Sequence, residues 1–376
     1  MEFRDLKVQY AHYKNEIDAA IQKVLNEAAF IGGPEVKELE EQLADYIGVK
    51  HCISCANGTE AMTLVLMSWN IGPGDAVFVP DFTFFSTGEV ASFSGATPVF
   101  VDVDPATFNM DPQKLEEAIN KKNSEGKLKP KVVIPVDLFG LPANYPAIEK
   151  VAAKHNLLIL EDGAQSFGGR IAEQKALSFG QAATTSFFPA KPLGCYGDGG
   201  AIFTNNKDLA EQINSLKVHG KGHHKYDNIR IGLNSRLDTI QAAVLQVKLK
   251  AFIEFELEAV NSIFKLYNER LFNQVEVPFI PENYYSSFAQ YTIKLQNKQQ
   301  RDDLQIELKK EGIPTAVYYQ KPMHKQEAFA DLEHDDGSFS VTNSLCNSVL
   351  SLPMHPYLGE ADVDKICNKI EEILSG

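Results

Sequence analysis

The chain has 376 residues, of which 44% are hydrophobic and 23% charged, the make-up of an ordinary globular protein of two or three domains rather than a disordered, collagen-like or disulfide-stapled chain. Fifty acidic residues against 36 basic ones give a formal charge of −14, an average field that repels polyanions, so neither a nucleic acid nor a membrane surface is an expected partner, although a local phosphate pocket remains open. Five cysteines suit a reducing compartment. The opening MEFRDLKVQYAHYKNEIDAA has no apolar signal core, and no run of 18 apolar residues occurs, so the expected location is the cytoplasm.

In chain order, Ile17, Ile21, Val24, Leu25 and Ala28 recur at helical spacing, Gly32-Gly33 interrupts, and Pro34 opens a second helix with the stripe Val36, Leu39, Leu43, Tyr46 and Ile47. Short apolar runs at 77–80, 98–101, 131–136, 157–160, 184–188 and 201–204 then alternate with helical patterns near 60–69, 112–120, 147–155 and 208–218. Continuous apolar strands between helices predict a mostly parallel sheet covered on both faces, an α/β fold. The segment 123–130 reads as a polar surface loop. From 238 to 271 Gly and Pro are almost absent, which predicts one long helix or two with a slight break. Beyond Pro278, strand-like segments at 290–295 and 315–319 flank a helix near 301–311, and a last helix covers 361–374. The expected division is a large α/β part over residues 1–250, including the N-terminal helices, and a smaller C-terminal α+β part over 251–376.

Four stretches carry residues suited to chemistry. Asn57-Gly58-Thr59-Glu60 opens a helix. Backbone N–H groups there bind anions, Gly58 allows close approach and Thr59 adds a hydroxyl, although the same pattern also describes a helix cap. Glu161-Asp162-Gly163-Ala164-Gln165-Ser166 follows an apolar run, placing Asp162 at the carboxyl end of a strand, where open α/β sheets bind ligands, or in a strand-end turn. Lys191 lies between a strand and the glycine-rich Pro192-Leu193-Gly194-Cys195-Tyr196-Gly197-Asp198-Gly199-Gly200, where a partly desolvated amine can condense with a carbonyl, or simply occupy the surface. In Asn234-Ser235-Arg236-Leu237-Asp238, Asn234 and Arg236 are candidates for a phosphate or carboxylate, and Ser235 or Asp238 for the cap of the next helix. Cys52 and Cys55 read as structural thiols, His219, His223 and His224 as a solvated loop, and no metal site is expected. No P-loop, G-x-G-x-x-G or G-x-S-x-G motif occurs.

The order of these pieces resembles the DegT/DnrJ/EryC1/StrS family of sugar aminotransferases over nearly the whole chain: IGGPEVKELEEQLADYIGVK, NGTEAM, IGPGDAVFVPDFTF, SGATPVFVDVD, ILEDGAQSFG, SFFPAKPLGCYGDGGAIFT, GLNSRLDTIQAA and SLPMHPYL. The resemblance implies a fold-type I transferase working as a homodimer with pyridoxal 5'-phosphate. It implies that Lys191 holds the cofactor as an internal aldimine and Asp162 pairs with the pyridine nitrogen. Gln165 would stand by the phenolic oxygen, Gly58, Thr59 and Ser186 bind the phosphate, Phe84 stacks on the ring, and Asn234 reaches the partner's phosphate. The stretch around Lys191 looks most like the subgroup aminating UDP-linked 3-keto-hexuronates. That implies ping-pong transfer from glutamate to UDP-2-acetamido-2-deoxy-3-oxo-glucuronate, with Arg236, Tyr319, Lys321 and His324 as candidates for the substrate's charges. Gly163 and Ser166-Phe167 depart from the usual small residues, and Tyr318-Tyr319-Gln320 from a frequent H-Y-P. Another UDP- or dTDP-keto sugar, a cyclitol, or a non-catalytic cofactor-binding regulator are the alternatives. A dehydratase relative, with His in place of the lysine, is disfavoured by Lys191.

Overall fold

The computed structural model describes residues 1–222, 224, 226–332 and 336–375. The chain opens with α1 (Leu6–His12), α2 (Lys14–Glu27) and α3 (Pro34–Ile47). The Asp5 carboxylate starts α1 by accepting from the Val8 N–H at 2.9 Å. Pro34 supplies the preset first turn of α3, which ends where Gly48 takes φ 88°, a left-handed cap.

The sheet-forming part runs β1 (His51–Cys55), α4 (Gly58–Ser68), β2 (Asp75–Pro80), α5 (Ser86–Phe93), β3 (Thr97–Val101), α6 (Pro112–Glu125), β4 (Lys129–Val133), α7 (Tyr145–His155) and β5 (Leu158–Asp162). After the short β6 (Arg170–Ile171) and β7 (Gln174–Lys175) come β8 (Ala182–Ser186), β9 (Gly200–Thr204) and α8 (Lys207–Leu216). Helix α9 (Thr239–Ala251) passes through a π-turn over Phe252–Glu256 into α10 (Leu257–Leu271). The remainder is β10 (Tyr284–Tyr285), β11 (Tyr291–Lys294), α11 (Lys298–Lys310), α12 (Ser340–Ser348), β12 (Val349–Leu352) and α13 (Glu360–Ser375).

The main sheet has seven strands in the order β1-β9-β8-β5-β4-β2-β3. Strands β3, β2, β4, β5 and β8 are mutually parallel, and β9 runs antiparallel to both β8 and β1. Strand period two sends Val77 and Val79 to one face and Ala76 and Phe78 to the other. The first face is covered by α4, α5 and α8 through residues such as Leu64, Val90 and Ile213. The second is covered by α3 and α9 at one end and α6 and α7 at the other, through Leu39, Leu245, Leu115 and Ile148. Each such fully buried side chain contributes about 1.5–3 kcal/mol. This is the fold-type I arrangement, a mostly parallel sheet flanked by helices. A further cluster joins α10, α11 and α13 to the antiparallel β11–β12 ladder through Tyr267, Tyr291, Leu304 and Ile366.

Several expectations are corrected. The 123–130 segment is not a loop: α6 runs to Glu125, stops at left-handed Gly126 (φ 66°), and β4 begins at Lys129. The 315–319 segment is not a strand, only a single bridge from Ala316 to Ser351, because β12 takes the edge beside β11. Asp238 stands at the start of α9 without a side-chain capping bond, and the Ser235 hydroxyl instead accepts from the Ala56 N–H at 3.1 Å. The 238–271 segment, by contrast, follows the second of its two expected forms, two helices with a slight break at the π-turn.

Candidate active site

Three loops leave the carboxyl ends of parallel strands on one edge of the sheet: 81–85 after β2, 163–169 after β5 and 187–199 after β8. Helix α4 starts at the same edge, because Gly58 touches Ser186: a Cβ on Gly58 would lie 2.9 Å from the Ser186 Cβ. Asn57 caps α4 by accepting from the Glu60 N–H at 2.8 Å, which leaves the N–H groups of the first turn pointing outward. Gly58 and Ser186 are thus neighbours at the start of α4, where the free N–H groups of a helix's first turn suit an anion.

Asp162 ends β5 and is buried. One carboxylate oxygen accepts from the Thr87 hydroxyl at 2.9 Å, the other from the Ala164 N–H at 3.2 Å. Burial raises its pKa, opposed by the Thr87 and Ala164 bonds and by the charge of Lys191. Lys191 is half-buried, its N–H donating to the Phe188 carbonyl at 2.8 Å. Burial lowers the pKa of its amine, the Asp162 charge raises it, and the Arg4 charge lowers it again. Asp162 and Lys191 therefore feel each other's charge, yet form no direct ion pair. A buried carboxylate without a contacting cation, acting on an amine at the sheet edge where a helix start suits an anion, fits a group that is cationic at one end and anionic at another and carries a carbonyl.

Gln165 is buried and fixed from both ends: its carbonyl oxygen Oε1 accepts from the Phe139 N–H at 2.9 Å, and its Nε2 reaches the Tyr319 hydroxyl at 3.5 Å. Tyr319 is pushed up by burial and by the Asp162 charge, so Asp162, Gln165, Lys191 and Tyr319 converge. Gly163 is explained locally, since Leu177 fills the space its Cβ would need, at 2.3 Å. Phe167 stacks on Tyr46 at 5.2 Å. Phe84 lies in the loop after β2 and is 58% exposed.

The other candidates are placed differently. Arg236 and Asn234 are exposed and bonded to each other at 2.5 Å. Asn234 shares a cavity of about 360 Å³ with Thr59, Glu89 and Phe93 of the same chain. Lys321 is exposed. His324 is a correction: its side chain is fully buried, its Nδ1 lies 2.7 Å from Asp81, and its ring stacks on Phe339 at 4.4 Å. It is therefore not available to hold a substrate's charge. A cavity of about 430 Å³ between β3 and α6 shares none of its lining with these groups. All five cysteines are buried free thiols. Among the described residues no cluster of His, Cys, Asp or Glu could hold a metal, and no helix is long and apolar enough to cross a membrane. His223 lies outside the described residues.

Three participants escaped the sequence reading. Thr87 and Arg4 carry no motif. Asp137 sits at the end of the predicted 131–136 run, the same signal that pointed to Asp162. Its carboxylate accepts from the Ala143 N–H and the Tyr145 hydroxyl at 2.9 Å and from the Ser166 hydroxyl at 2.6 Å, and is bonded to the Glu161 carboxyl. Burial pushes Asp137 up to about 6 and Glu161 well above the usual range. Two buried acids with no cation beside them favour holding one proton between them.

The chain is 47% identical over 369 residues to the UDP-2-acetamido-2-deoxy-3-oxo-D-glucuronate aminotransferase of Pseudomonas aeruginosa, covering 98% of each. It superposes on the crystal structure of a DegT DnrJ EryC1 StrS aminotransferase from Brucella abortus with a TM-score of 0.97 at 51% identity, both chains covered in full. It superposes on S. venezuelae DesV in complex with a ketimine intermediate with a TM-score of 0.93 at 32% identity, covering 100% of this chain and 98% of that one. Since the sequence profile of the family matches residues 11–371, the chain belongs to the DegT/DnrJ/EryC1/StrS aminotransferases and is an enzyme of the transaminase class.

Proposed function

We propose that this enzyme transfers an amino group from glutamate to a UDP-linked 3-keto-hexuronate, UDP-2-acetamido-2-deoxy-3-oxo-glucuronate, with pyridoxal 5'-phosphate as its resident cofactor. The observation that carries the proposal is buried Asp162 at the end of β5, whose charge acts on the Lys191 amine, at the sheet edge where Gly58 meets Ser186. The substrate assignment is supported by the Pseudomonas aeruginosa relative. When bound, the cofactor supplies an aldehyde and an electron-withdrawing ring.

This chain's residues do the rest. Lys191 would hold the cofactor, and its amine, when free and unprotonated, would serve as the base that moves a proton on the amino donor. Its lowered pKa suits a group that must lose its proton to act. Asp162, held by Thr87 and the Ala164 N–H, keeps the ring nitrogen protonated because an opposite charge favours the charged form. Gly58, Thr59 and Ser186 would hold its phosphate, and Phe84 and Gln165 would hold its ring. Arg236, Tyr319 and Lys321 receive the charges of the sugar nucleotide.

The working unit in this reading is a homodimer in which Asn234 of one copy completes the other's phosphate site. It is supported by large apolar side chains left in solvent, including Ile231 at 90% and Phe93 at 73% exposure. The division into a cofactor-binding part over 1–250 and a smaller part over 251–376, and a cytoplasmic location, belong to the same proposal. Incubation of the purified protein with glutamate and a panel of UDP- and dTDP-keto sugars tests it. 2-Oxoglutarate is expected with the UDP-linked 3-keto-hexuronate. Its absence with every acceptor, despite cofactor binding, overturns the reading in favour of a non-catalytic regulator.

A further inference from the structure

The carbonyls at Lys191 and Pro192 are approached from the far end of the sequence. Arg4 Nη2 donates to the Lys191 carbonyl at 2.8 Å and to the Pro192 carbonyl at 3.4 Å. Arg4 is brought there by a segment tied on both sides. The Phe3 carbonyl accepts from the Met354 N–H at 3.2 Å, and the Phe3 ring meets Tyr318, the neighbour of Tyr319, edge-on at 6.3 Å. Gln9 Nε2 donates to Glu256 at 2.7 Å, and the Tyr357 hydroxyl donates to the same oxygen at 2.5 Å. Glu256 is buried and ends the π-turn Phe252–Glu256. One extra residue in a helix turns its face by about 100°, so the π-turn sets the direction from which Glu256 meets Gln9 and Tyr357.

We propose that Arg4 is a positioning residue for Lys191, delivered by an N-terminal strap, residues 1–13, that spans from the lysine loop to the C-terminal segment. The inference rests on Lys191 being the cofactor-linked amine. A planar guanidinium that reaches two consecutive carbonyls fixes the backbone from which the reacting amine projects, and a rigid backbone holds that amine in reach. Arg4 also acts through its charge. The charged groups facing the Lys191 amine are Asp162 from β5, which favours the protonated form, and Arg4 from the strap, which opposes it. Behind Arg4, Glu256 favours the guanidinium, while buried Lys248, lying 5.2 Å over the Tyr196 ring, adds a second positive charge to the same pocket. Arg4 thus shifts Lys191 toward the neutral amine that the chemistry requires.

The test uses the full-length protein with Arg4→Met, Arg4→Lys and Gln9→Leu. In cofactor-free protein, the pH dependence of Lys191 labelling by an amine-reactive reagent is read by peptide mass spectrometry. The midpoint is expected to rise by roughly 0.5–1 pH unit in Arg4→Met and to stay near wild type in Arg4→Lys, which keeps the charge. In the holoenzyme, kcat is expected to fall about 10-fold in Arg4→Met with KM for glutamate changed less than about 2-fold, and to recover partly in Arg4→Lys. Gln9→Leu keeps the Arg4 side chain but removes one of the ties that hold the strap, so Arg4 is held less firmly at the Lys191 carbonyl and the midpoint is expected to move in the same direction by less. It carries the test if Arg4→Met does not fold. Unchanged midpoints in Arg4→Met and Gln9→Leu overturn the inference. Borohydride reduction of the wild-type holoenzyme separates the two levels: a cofactor tag on a residue other than Lys191 overturns the underlying assignment, whereas a tag on Lys191 with unaltered Arg4 variants overturns only the role of Arg4.

Discussion

Gly58→Ala isolates the phosphate cradle from the rest of the fold. Gly58 has no left-handed φ and lies in the first turn of α4, so alanine suits its backbone. Its loss of unfolded-state freedom even favours the native state by up to about 1 kcal/mol. The obstacle is steric: the new methyl lies 2.9 Å from the Ser186 Cβ and 3.4 Å from its Cα, against a comfortable carbon–carbon separation of about 3.5–4.0 Å. Because the second contact is backbone, the end of β8 and the start of α4 must part by roughly half an ångström or more, a strain of about 1–3 kcal/mol. The cofactor-free protein relaxes by letting the two elements part, so its melting temperature should move little. The cradle, however, has lost its shape, and the full strain falls on cofactor binding, an affinity loss of about 5- to 150-fold. Titration of the cofactor-free variant with pyridoxal 5'-phosphate, followed by absorbance, measures this directly, and Gly58→Ala combined with Ser186→Gly should recover the steric part. Wild-type affinity in Gly58→Ala would mean that the phosphate binds elsewhere.

Lys191→Ala should abolish borohydride-stable attachment of the cofactor and turnover together, and full residual activity would contradict its assignment. Asp162→Asn should keep the fold by circular dichroism while losing roughly 100-fold or more in rate; an unchanged rate removes its role at the ring nitrogen. His324→Ala removes the ring contact of the buried Asp81 carboxylate, which keeps only the backbone N–H of residue 324, and should cost about 1–3 kcal/mol of stability while leaving KM for the sugar nucleotide near wild type, and a large KM rise at normal stability would restore His324 to the substrate site. For Asp137 the native state holds its proton more tightly than the unfolded chain, so its contribution to stability is present at low pH and is lost as pH rises through about 6. Denaturant titrations between pH 4 and 8 should show that decline at up to about 1.4 kcal/mol per pH unit and its loss in Asp137→Asn, and the same slope in both proteins refutes the shared proton.

What could be read in advance followed from local physics. Apolar runs between helical patterns fixed the parallel sheet, and Asp162 was visible because an acid ending a buried strand is unusual. Gly58 and Lys191 became legible through the order of motifs, since a glycine at a helix start and a lysine in a loop have bland meanings alone. The strand β12 was hidden because Val349–Leu352 becomes a strand only by pairing with β11, nearly sixty residues earlier. His324 looked like a candidate because sequence shows a titratable group but not Asp81, 243 positions away, which claims it. Arg4 is the same problem reversed: nothing around it signals that its partner lies 187 positions on.

The charge balance of the site argues for the kind of molecule it takes. Asp162, Asp137 and Glu161 stand together at the end of β5, and the Asp137 N–H donates to the Asp162 carbonyl at 3.1 Å. For Asp137 and Glu161 one proton held between them relieves the repulsion, and the remaining charge holds Ser166 and the 138–143 turn, which in turn holds Gln165 through the Phe139 N–H. Asp162 has no such recourse. Its donors, Thr87 and the Ala164 N–H, are neutral, and Lys191 must be uncharged when it acts. A negative charge is therefore left uncompensated in a buried place unless the bound molecule brings a cation of its own. The proposed phosphate site at Gly58, Thr59 and Ser186 makes the opposite demand, for an anion that hydroxyls and backbone N–H groups would hold without a lysine or arginine. A ligand positive at the ring and negative at the phosphate satisfies both ends at once, so a protein of net charge −14 can bind a phosphorylated cofactor without a basic patch to attract it.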